Sequence, residues 1–178
     1  VLAGDCLKCI LAVIVTRVLF GASHPDIIYL LCLYTGAGAI LGHNYPFYMG
    51  FRGGKGIAAT AGLILSFHPY FVIMGVAVFF GIFFTTHLVS LGSLLVYLGF
   101  MIEMVVCGQL GVFAGMGQAQ LYEMYILSFL LAALAYWKHR ENIRRLVHGN
   151  ERRTYLIKKN QVDIAEKPEE KSAEDRKQ

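Results

Sequence analysis

Charged residues are scarce in this sequence. Only 16% of the 178 residues are Asp, Glu, Lys or Arg, whereas 56% are hydrophobic. A soluble domain carries about 25% charged residues, so the composition argues against a soluble globular fold. The first 137 residues hold four basic and four acidic side chains: Lys8, Arg17, Arg52, Lys55, Asp5, Asp26, Glu103 and Glu123. We therefore predict an integral membrane protein with a charged C-terminal tail, whose basic residues require no nucleic-acid partner.

Cysteine is also scarce, with four residues in the chain. Cys6 and Cys9 form a C-x-x-C pair, a spacing that can indicate redox or metal chemistry. No second cysteine pair or histidine cluster at ligand spacing accompanies it, and the pair opens an apolar segment. Packing as small hydrophobic side chains is the better interpretation. The sequence thus predicts neither a metal site nor a disulfide.

Long apolar runs fill the rest of the chain. A spanning helix needs about 17–25 apolar residues, and the candidate spans are 6–22, 26–42, 57–68, 70–86, 88–107 and 121–137. The stretch 57–86 is too long for one upright helix, and Pro69 interrupts it. We predict two short spans that are joined by a turn at "SFHPY". The sequence is also compatible with one long tilted helix. Lys8 and Arg17, in the first span, must snorkel or face protein.

The predicted fold is therefore an all-α polytopic bundle of about six spans. A membrane domain occupies residues 1–155, and the charge-rich segment 156–178 is predicted to be a disordered tail. A basic cluster follows the last span and places that end in the cytoplasm: Lys138, Arg140, Arg144, Arg145, Arg152 and Arg153. Two spans within 57–86 put Arg52 and Lys55 on the same side. Three polar segments, 43–56, 86–93 and 138–153, then share the cytoplasmic face.

The first polar segment contains "HNYPFYMGFRGGKGIAATAG", residues 43–62. The phosphate-binding pattern G-x-x-x-x-G-K-[ST] fails, because Gly56 follows Lys55 and Met49 occupies the first glycine position. Consecutive glycines still let backbone N–H groups converge on an anion, and a helix that starts at "IAATAG" favours phosphate at its N-terminus. We favour anion binding over the alternative, a flexible basic turn.

The third polar segment places His139 and Asn142 on one helix face. Such a pair can orient or activate a hydroxyl, with His139 as a general base. The nearby Arg140, Arg144 and Arg145 suit phosphate, although a basic helix on anionic lipid headgroups explains them equally well.

The remaining polar and small residues are weaker signals. Ser90 and Ser93 also share a face, although a serine in a helix commonly bonds to its own backbone. Gly38 and Gly42 predict close helix packing. Together the three segments suit an enzyme that joins a soluble phosphorylated substrate to a lipid-soluble one.

Two stretches resemble a known family. "GHNYPFYMGFRGGKGIAATAG" (42–62) and "HRENIRRLVHGNE" (139–151) resemble the second and third motifs of the bacterial acyl-phosphate:glycerol-3-phosphate acyltransferases, the PlsY type. "VSLGS" (89–93) resembles the segment between them, and "DCLKCILAVIV" (5–15) resembles the start of that family's second span. The similarity covers nearly all of residues 5–155.

The resemblance implies a multi-pass enzyme of the bacterial inner membrane whose active site faces the cytoplasm. It would move a fatty acyl group from acyl phosphate to the 1-hydroxyl of sn-glycerol 3-phosphate and form lysophosphatidic acid, with no cofactor or metal. His139 and Asn142 match the family's activity-critical pair, Ser90 or Ser93 its active-site serine, and Glu151 a structural glutamate. The expected substrate-binding residues are His43, Gly50, Arg52, Gly53, Gly54, Lys55, Gly56, Arg140, Arg144 and Arg145.

The sequence departs from the family in one respect. The family has seven spans, and its first span precedes a loop that ends in an essential arginine; nothing in the 178 residues corresponds to either. We expect a fragment, a mis-assigned start or a degenerate paralogue, and little acyl transfer from these residues alone. The alternative functions are an organic-phosphate transporter, which needs ionisable residues near the bilayer midplane, and an inactive membrane scaffold.

Overall fold

The computed structural model describes residues 2–155, so the tail predicted at 156–178 lies outside the described residues. The described part is built from helices, as predicted. They are α1 (Leu2–Phe20), α2 (Ile28–Asn44), α3 (Ile57–Phe67), α4 (Pro69–Thr86), α5 (Val89–Gln109), α6 (Gln118–Lys138) and α7 (Arg140–Val147), with a 3₁₀ turn at Phe47–Met49.

The first six helices coincide with the six predicted spans to within a few residues. Among the described residues, α4, α5 and α6 are long and apolar enough to cross a membrane. α3 is apolar but has only 11 residues, and α1 carries three charged side chains, Asp5, Lys8 and Arg17. The prediction of an all-α membrane bundle is confirmed.

The long apolar stretch 57–86 forms two helices. His68 between them is extended (φ −157°, ψ 145°), and Pro69 occupies the first turn of α4, where its missing N–H costs nothing. The two helices fold back on each other, because Ile64 of α3 lies against Gly75 of α4. The start of α3 and the end of α4 are therefore at the same end of the bundle, and the single long helix is wrong.

Glycines allow α3 to pack closely on α1 and α2. A Cβ built on Gly62 would lie 2.3 Å from the carbonyl oxygen of Cys6, and one on Gly36 would lie 2.4 Å from Leu63 Cδ1. By contrast, a Cβ on Gly38 or Gly42 meets nothing within 4 Å. The close packing predicted for Gly38 and Gly42 is wrong, since α2 turns Gly36 toward its neighbour instead.

Arg17 faces protein at the end of the bundle opposite the polar segments. Its guanidinium donates to the carbonyl oxygen of Phe67 and lies 5.3 Å from the centre of the Tyr29 ring. A carbonyl in the last turn of a helix lacks an intrahelical partner. Arg17 therefore supplies a hydrogen-bond donor to the last turn of α3, and its positive charge is stabilised by this carbonyl oxygen and by the Tyr29 ring.

The contrast between two glycines is testable. Gly62→Ala should destabilise the protein by about 1–3 kcal/mol, because its methyl group would overlap the backbone of α1 and force the helices apart. Gly38→Ala is the matched control and should be neutral or mildly stabilising, since it adds a methyl group to open space within a helix. Thermal unfolding in detergent measures both. Equal midpoints for the two variants would contradict the packing described here.

Candidate active site

Three segments that are distant in the sequence meet at one end of the bundle. Lys55, in the loop before α3, donates to Asn142 Oδ1 in α7. Ser90 Oγ at the start of α5 donates to Glu151 Oε1 over 2.7 Å. The backbone N–H of Thr154 donates to the carbonyl oxygen of His87 over 2.8 Å. The predicted grouping of residues 43–56, 86–93 and 138–153 at one end thus agrees with these contacts.

Glu151 is the centre of this cluster. Its Oε1 accepts from Ser90 Oγ at 2.7 Å and from Asn142 Nδ2 at 2.6 Å, and its Oε2 accepts from Arg145 Nε at 2.7 Å. Its side chain is only 7% exposed. Burial by itself disfavours the charged carboxylate, but the three donors outweigh it and hold the pKa of Glu151 below its usual value. Glu151 is therefore an ionised carboxylate that joins α5, α7 and the segment after α7.

Asn142 connects this carboxylate to Lys55. Its amide nitrogen donates to Glu151 and its amide oxygen accepts from Lys55, and the residue is buried. The carboxylate can only accept, which determines which way the amide is turned. Glu151 fixes the Asn142 side chain, and Asn142 in turn positions the Lys55 ammonium at the site.

His139 lies between α6 and α7 and is fully buried. Its Nδ1 is 2.7 Å from the carbonyl oxygen of Ala135. A carbonyl oxygen only accepts, so Nδ1 carries the hydrogen and Nε2 carries the lone pair. Burial lowers the pKa of His139, and the positive charge of Lys55 acts in the same direction. Nε2 is buried and has no hydrogen-bond partner within residues 2–155, so the site holds a neutral imidazole with a free basic nitrogen.

A cavity of about 280 Å³ opens among these residues. It is slightly smaller than the roughly 300–1,000 Å³ of pockets for drug-sized ligands and suits a small polar molecule. Most of the residues that line it are polar or charged: Lys55, Ile57, Val89, Ser90, His139, Asn142, Arg145, Glu151, Arg152 and Thr154.

The glycine-rich loop leads directly into α3. Gly56 has φ +81°, a left-handed conformation that favours glycine. No side chain caps the helix that begins at Ile57, so its first N–H groups lack a capping partner and favour an anion. A Cβ on Gly53 would lie 2.1 Å from the carbonyl oxygen of His43, and one on Gly54 would lie 2.3 Å from His43 Nε2. Gly53 and Gly54 therefore let the loop pack against the end of α2.

His43 belongs to a small polar cluster that the sequence did not predict. Its Nδ1 lies 3.0 Å from Lys8 Nζ and 3.2 Å from Asp5 Oδ1, and Lys8 and Asp5 are 2.8 Å apart. The isolated charges in an otherwise apolar helix were the available signal. Because Gly54 packs against the His43 ring, this cluster supports the loop that carries Lys55.

The two candidate serines differ in what they contact. Ser93 Oγ donates to the carbonyl oxygen of Val89 over 2.8 Å, within its own helix. Ser90 is the serine that joins the cluster. Among the arginines, Arg145 reaches Glu151, whereas Arg140 lies 5.2 Å from the centre of the Trp137 ring.

Other predicted residues lie at the same end but outside the cluster of contacts. Gly50, Arg52 and Arg144 are exposed. Their contact with a substrate, like that of Arg140, remains a prediction.

The fold and the site together define a helical membrane protein with a polar cluster at one end, built around a lysine, an uncapped helix N-terminus and a buried neutral histidine. A family model described as glycerol-3-phosphate acyltransferase matches residues 1–149. The chain belongs to this family.

Individual relatives agree with this assignment. A glycerol-3-phosphate acyltransferase from Halalkalibacterium halodurans is 38% identical over 151 residues, which cover 85% of this chain and 68% of the relative. One from Geobacter sulfurreducens is 36% identical over 152 residues, covering 85% and 70%.

Solved structures show the same fold. Crystal structures of PlsY (YgiH), an integral membrane glycerol 3-phosphate acyltransferase, in a lysophosphatidic acid form and a glycerol 3-phosphate form have TM-scores of 0.68 and 0.67. Both are 28% identical to this chain and cover 85% of it, and the aligned part is 69% and 68% of the respective PlsY chain.

The role of Glu151 gives a pH-dependent prediction. A carboxylate with a lowered pKa stabilises the fold above its unfolded-state pKa of about 4.3, and this contribution disappears as the pH falls through the folded-state value. Glu151→Gln should therefore lower the unfolding midpoint at about pH 7, and the difference from wild type should narrow below about pH 4.3. Glu141→Gln, on the exposed face of α7, is the control and should have little effect. A difference between Glu151→Gln and wild type that stays constant across this range would show that the charge of Glu151 is not what matters.

Proposed function

We propose that this protein transfers a fatty acyl group from acyl phosphate to the 1-hydroxyl of sn-glycerol 3-phosphate, forming lysophosphatidic acid for phospholipid synthesis. The observation that carries the proposal is the convergence of Lys55, Ser90, His139 and Asn142 on one small cavity beside an uncapped helix N-terminus. Membership of the glycerol-3-phosphate acyltransferase family supports it, as does the related PlsY structure in its glycerol 3-phosphate form.

The phosphate of the acceptor is bound by Lys55 and the first turn of α3. The ammonium group supplies a positive charge, and the uncapped N–H groups at the start of α3 supply directed donors. Arg145 lines the same cavity and adds positive charge at its edge. These groups favour a dianionic phosphate. With the phosphate bound there, the glycerol hydroxyls of the acceptor point toward His139 and Asn142.

The acceptor hydroxyl is the nucleophile. As its oxygen forms a bond to the acyl carbon, its proton passes to Nε2 of His139, and Ser90 and Asn142 orient the hydroxyl. The bond between the acyl carbon and the phosphate oxygen then breaks, His139 returns the proton to the departing phosphate oxygen, and inorganic phosphate leaves as HPO₄²⁻ with its negative charge stabilised by Lys55. Acyl phosphate is already an activated mixed anhydride, so positioning the two substrates supplies much of the acceleration.

Reconstitution of the protein, as its host produces it, into proteoliposomes tests the proposal. With acyl phosphate and glycerol 3-phosphate present, the vesicles should form lysophosphatidic acid and inorganic phosphate. Uptake of glycerol 3-phosphate without product would indicate a transporter, and neither outcome would indicate a scaffold. The clustering of basic groups at one end of the bundle, away from the midplane, favours the enzyme.

His139→Ala should lower kcat by about 10²–10⁴-fold with little change in KM for glycerol 3-phosphate, because it removes the proton acceptor. Ser93→Ala removes a hydroxyl that bonds to its own helix. It is the control, and its kcat and KM should stay near the wild-type values.

The reaction rate of the wild-type protein should rise with pH and level off. The midpoint of this rise should lie below the usual histidine pKa of about 6.5, since His139 acts as a neutral base. A His139→Ala enzyme that keeps this midpoint would mean that the substrate phosphate takes the proton instead.

We also propose that the site faces the cytoplasm across a bacterial inner membrane, which follows from the basic residues at this end. With the four native cysteines replaced, Arg52→Cys should resist an impermeant thiol reagent added to intact cells. Leu110→Cys is the control at the opposite end of α5, where the residue is 76% exposed, and it should be labelled. Strong labelling at position 52 would reverse the proposed orientation.

A further inference from the structure

The turn between α2 and α3 exposes large apolar side chains at the same end of the bundle as the polar site. Phe47 is 79% exposed, Tyr48 75%, Met49 58% and Phe51 64%. We call residues 47–51 the aromatic loop. Four large apolar side chains exposed within five residues make this loop a candidate interaction surface.

The backbone of the aromatic loop holds Phe51 in an unfavourable conformation. Gly50 and Phe51 both have positive φ, +59° and +61°, and the N–H of Phe51 donates to the carbonyl oxygen of Pro46 over 3.0 Å. A left-handed conformation is unfavourable for a residue with a Cβ, because the Cβ comes too close to the following carbonyl oxygen. A glycine at this position would avoid that cost. Phe51 therefore accepts strain while its ring, mostly exposed, gains little from the protein, and this points to a partner outside the chain.

The surroundings of the aromatic loop indicate that the partner is lipid. The exposed apolar face of α2, with Leu41 46% and Tyr45 37% exposed, runs directly into the loop. Lys138 Nζ lies 4.0 Å from the centre of the Tyr45 ring, and Arg52 follows the loop. Aromatic rings next to basic side chains are typical of the membrane–water boundary, where the rings enter the interface and the charges meet anionic headgroups.

The aromatic loop is also connected to the polar site through the backbone. The N–H of Gly53 donates to the carbonyl oxygen of Asn44 over 3.2 Å, so the loop closes against the end of α2. Lys55 follows in the sequence and reaches Asn142. A lipid chain that contacts Phe51 would thus lie close to Lys55, the side chain that we assign to phosphate binding.

We propose that the aromatic loop inserts into the bilayer interface and that the long-chain acyl donor reaches the site from the lipid beside it. Phe51 is then a positioning residue for the donor and touches none of the reacting atoms. The insertion is independent of the reaction, whereas the delivery of the donor rests on the proposed function.

Insertion is measured by fluorescence quenching. Trp137 is the only tryptophan, so Trp137→Phe gives a silent parent for Phe51→Trp in vesicles with anionic lipid. Lipids brominated near the headgroup end of their chains should quench this tryptophan strongly, and aqueous iodide should quench it weakly. Strong quenching by iodide without quenching by brominated lipid would overturn the proposal. This result does not depend on whether the protein is an acyltransferase.

Delivery is measured by kinetics with two replacements at the same position. Phe51→Gly relieves the backbone strain but removes the ring, and it should raise KM for the long-chain donor by about threefold to tenfold, as expected for losing part of the burial energy of an aromatic side chain. KM for glycerol 3-phosphate and kcat should stay near wild type. Phe51→Leu keeps an apolar side chain and should recover most of the donor KM.

An unchanged donor KM in Phe51→Gly would overturn the delivery of the donor through this loop. A uniform loss in all kinetic parameters, with no recovery in Phe51→Leu, would also overturn it, because it would show a structural role. Absence of any product from the wild-type protein would instead count against the proposed function and leave the quenching result standing.

Discussion

The buried carboxylate of Glu151 is the interaction on which the site depends. It accepts hydrogen bonds from Ser90, 61 residues earlier in the sequence, and from Asn142 and Arg145 of α7. A buried polar network is stabilising only when its members are satisfied together. Because Glu151 fixes the amide of Asn142, it also determines where Lys55 is held. Loss of this one acceptor would therefore release three segments of the chain at once.

Glu151 and His139 show how the same end of the bundle produces two opposite charge states. Three donors keep Glu151 ionised despite its burial, whereas His139 has one carbonyl partner and is kept neutral by burial and by Lys55. Groups whose environments push their pKa values in a useful direction are candidates for acid–base roles. Here the carboxylate supports structure, and the imidazole keeps a nitrogen without a hydrogen-bond partner among the described residues, which the proposed mechanism uses as the proton acceptor.

The glycine-rich segment lies between a polar surface and an apolar one. On one side it carries Lys55 and leads into the uncapped N-terminus of α3, and on the other it carries the exposed rings of the aromatic loop. Its glycines serve backbone geometry first, since Gly53 and Gly54 allow contact with the end of α2. The proposed reaction joins a water-soluble acceptor to a lipid-soluble donor, and this segment brings a polar and an apolar surface within a few residues of each other.

The sequence by itself determined the fold class, the helical segments and the break at Pro69, because composition, apolar run length and proline geometry act locally. It also indicated that the three polar segments share one end, through the placement of charge. Only the tertiary structure decided that Ser90 and not Ser93 meets Glu151, that Gly36 and not Gly38 faces α3, and that His43 packs against Gly54. Residues on one helix face look alike in sequence. Which of them touches a partner depends on the rotation of each helix, and contacts made far away along the chain set that rotation.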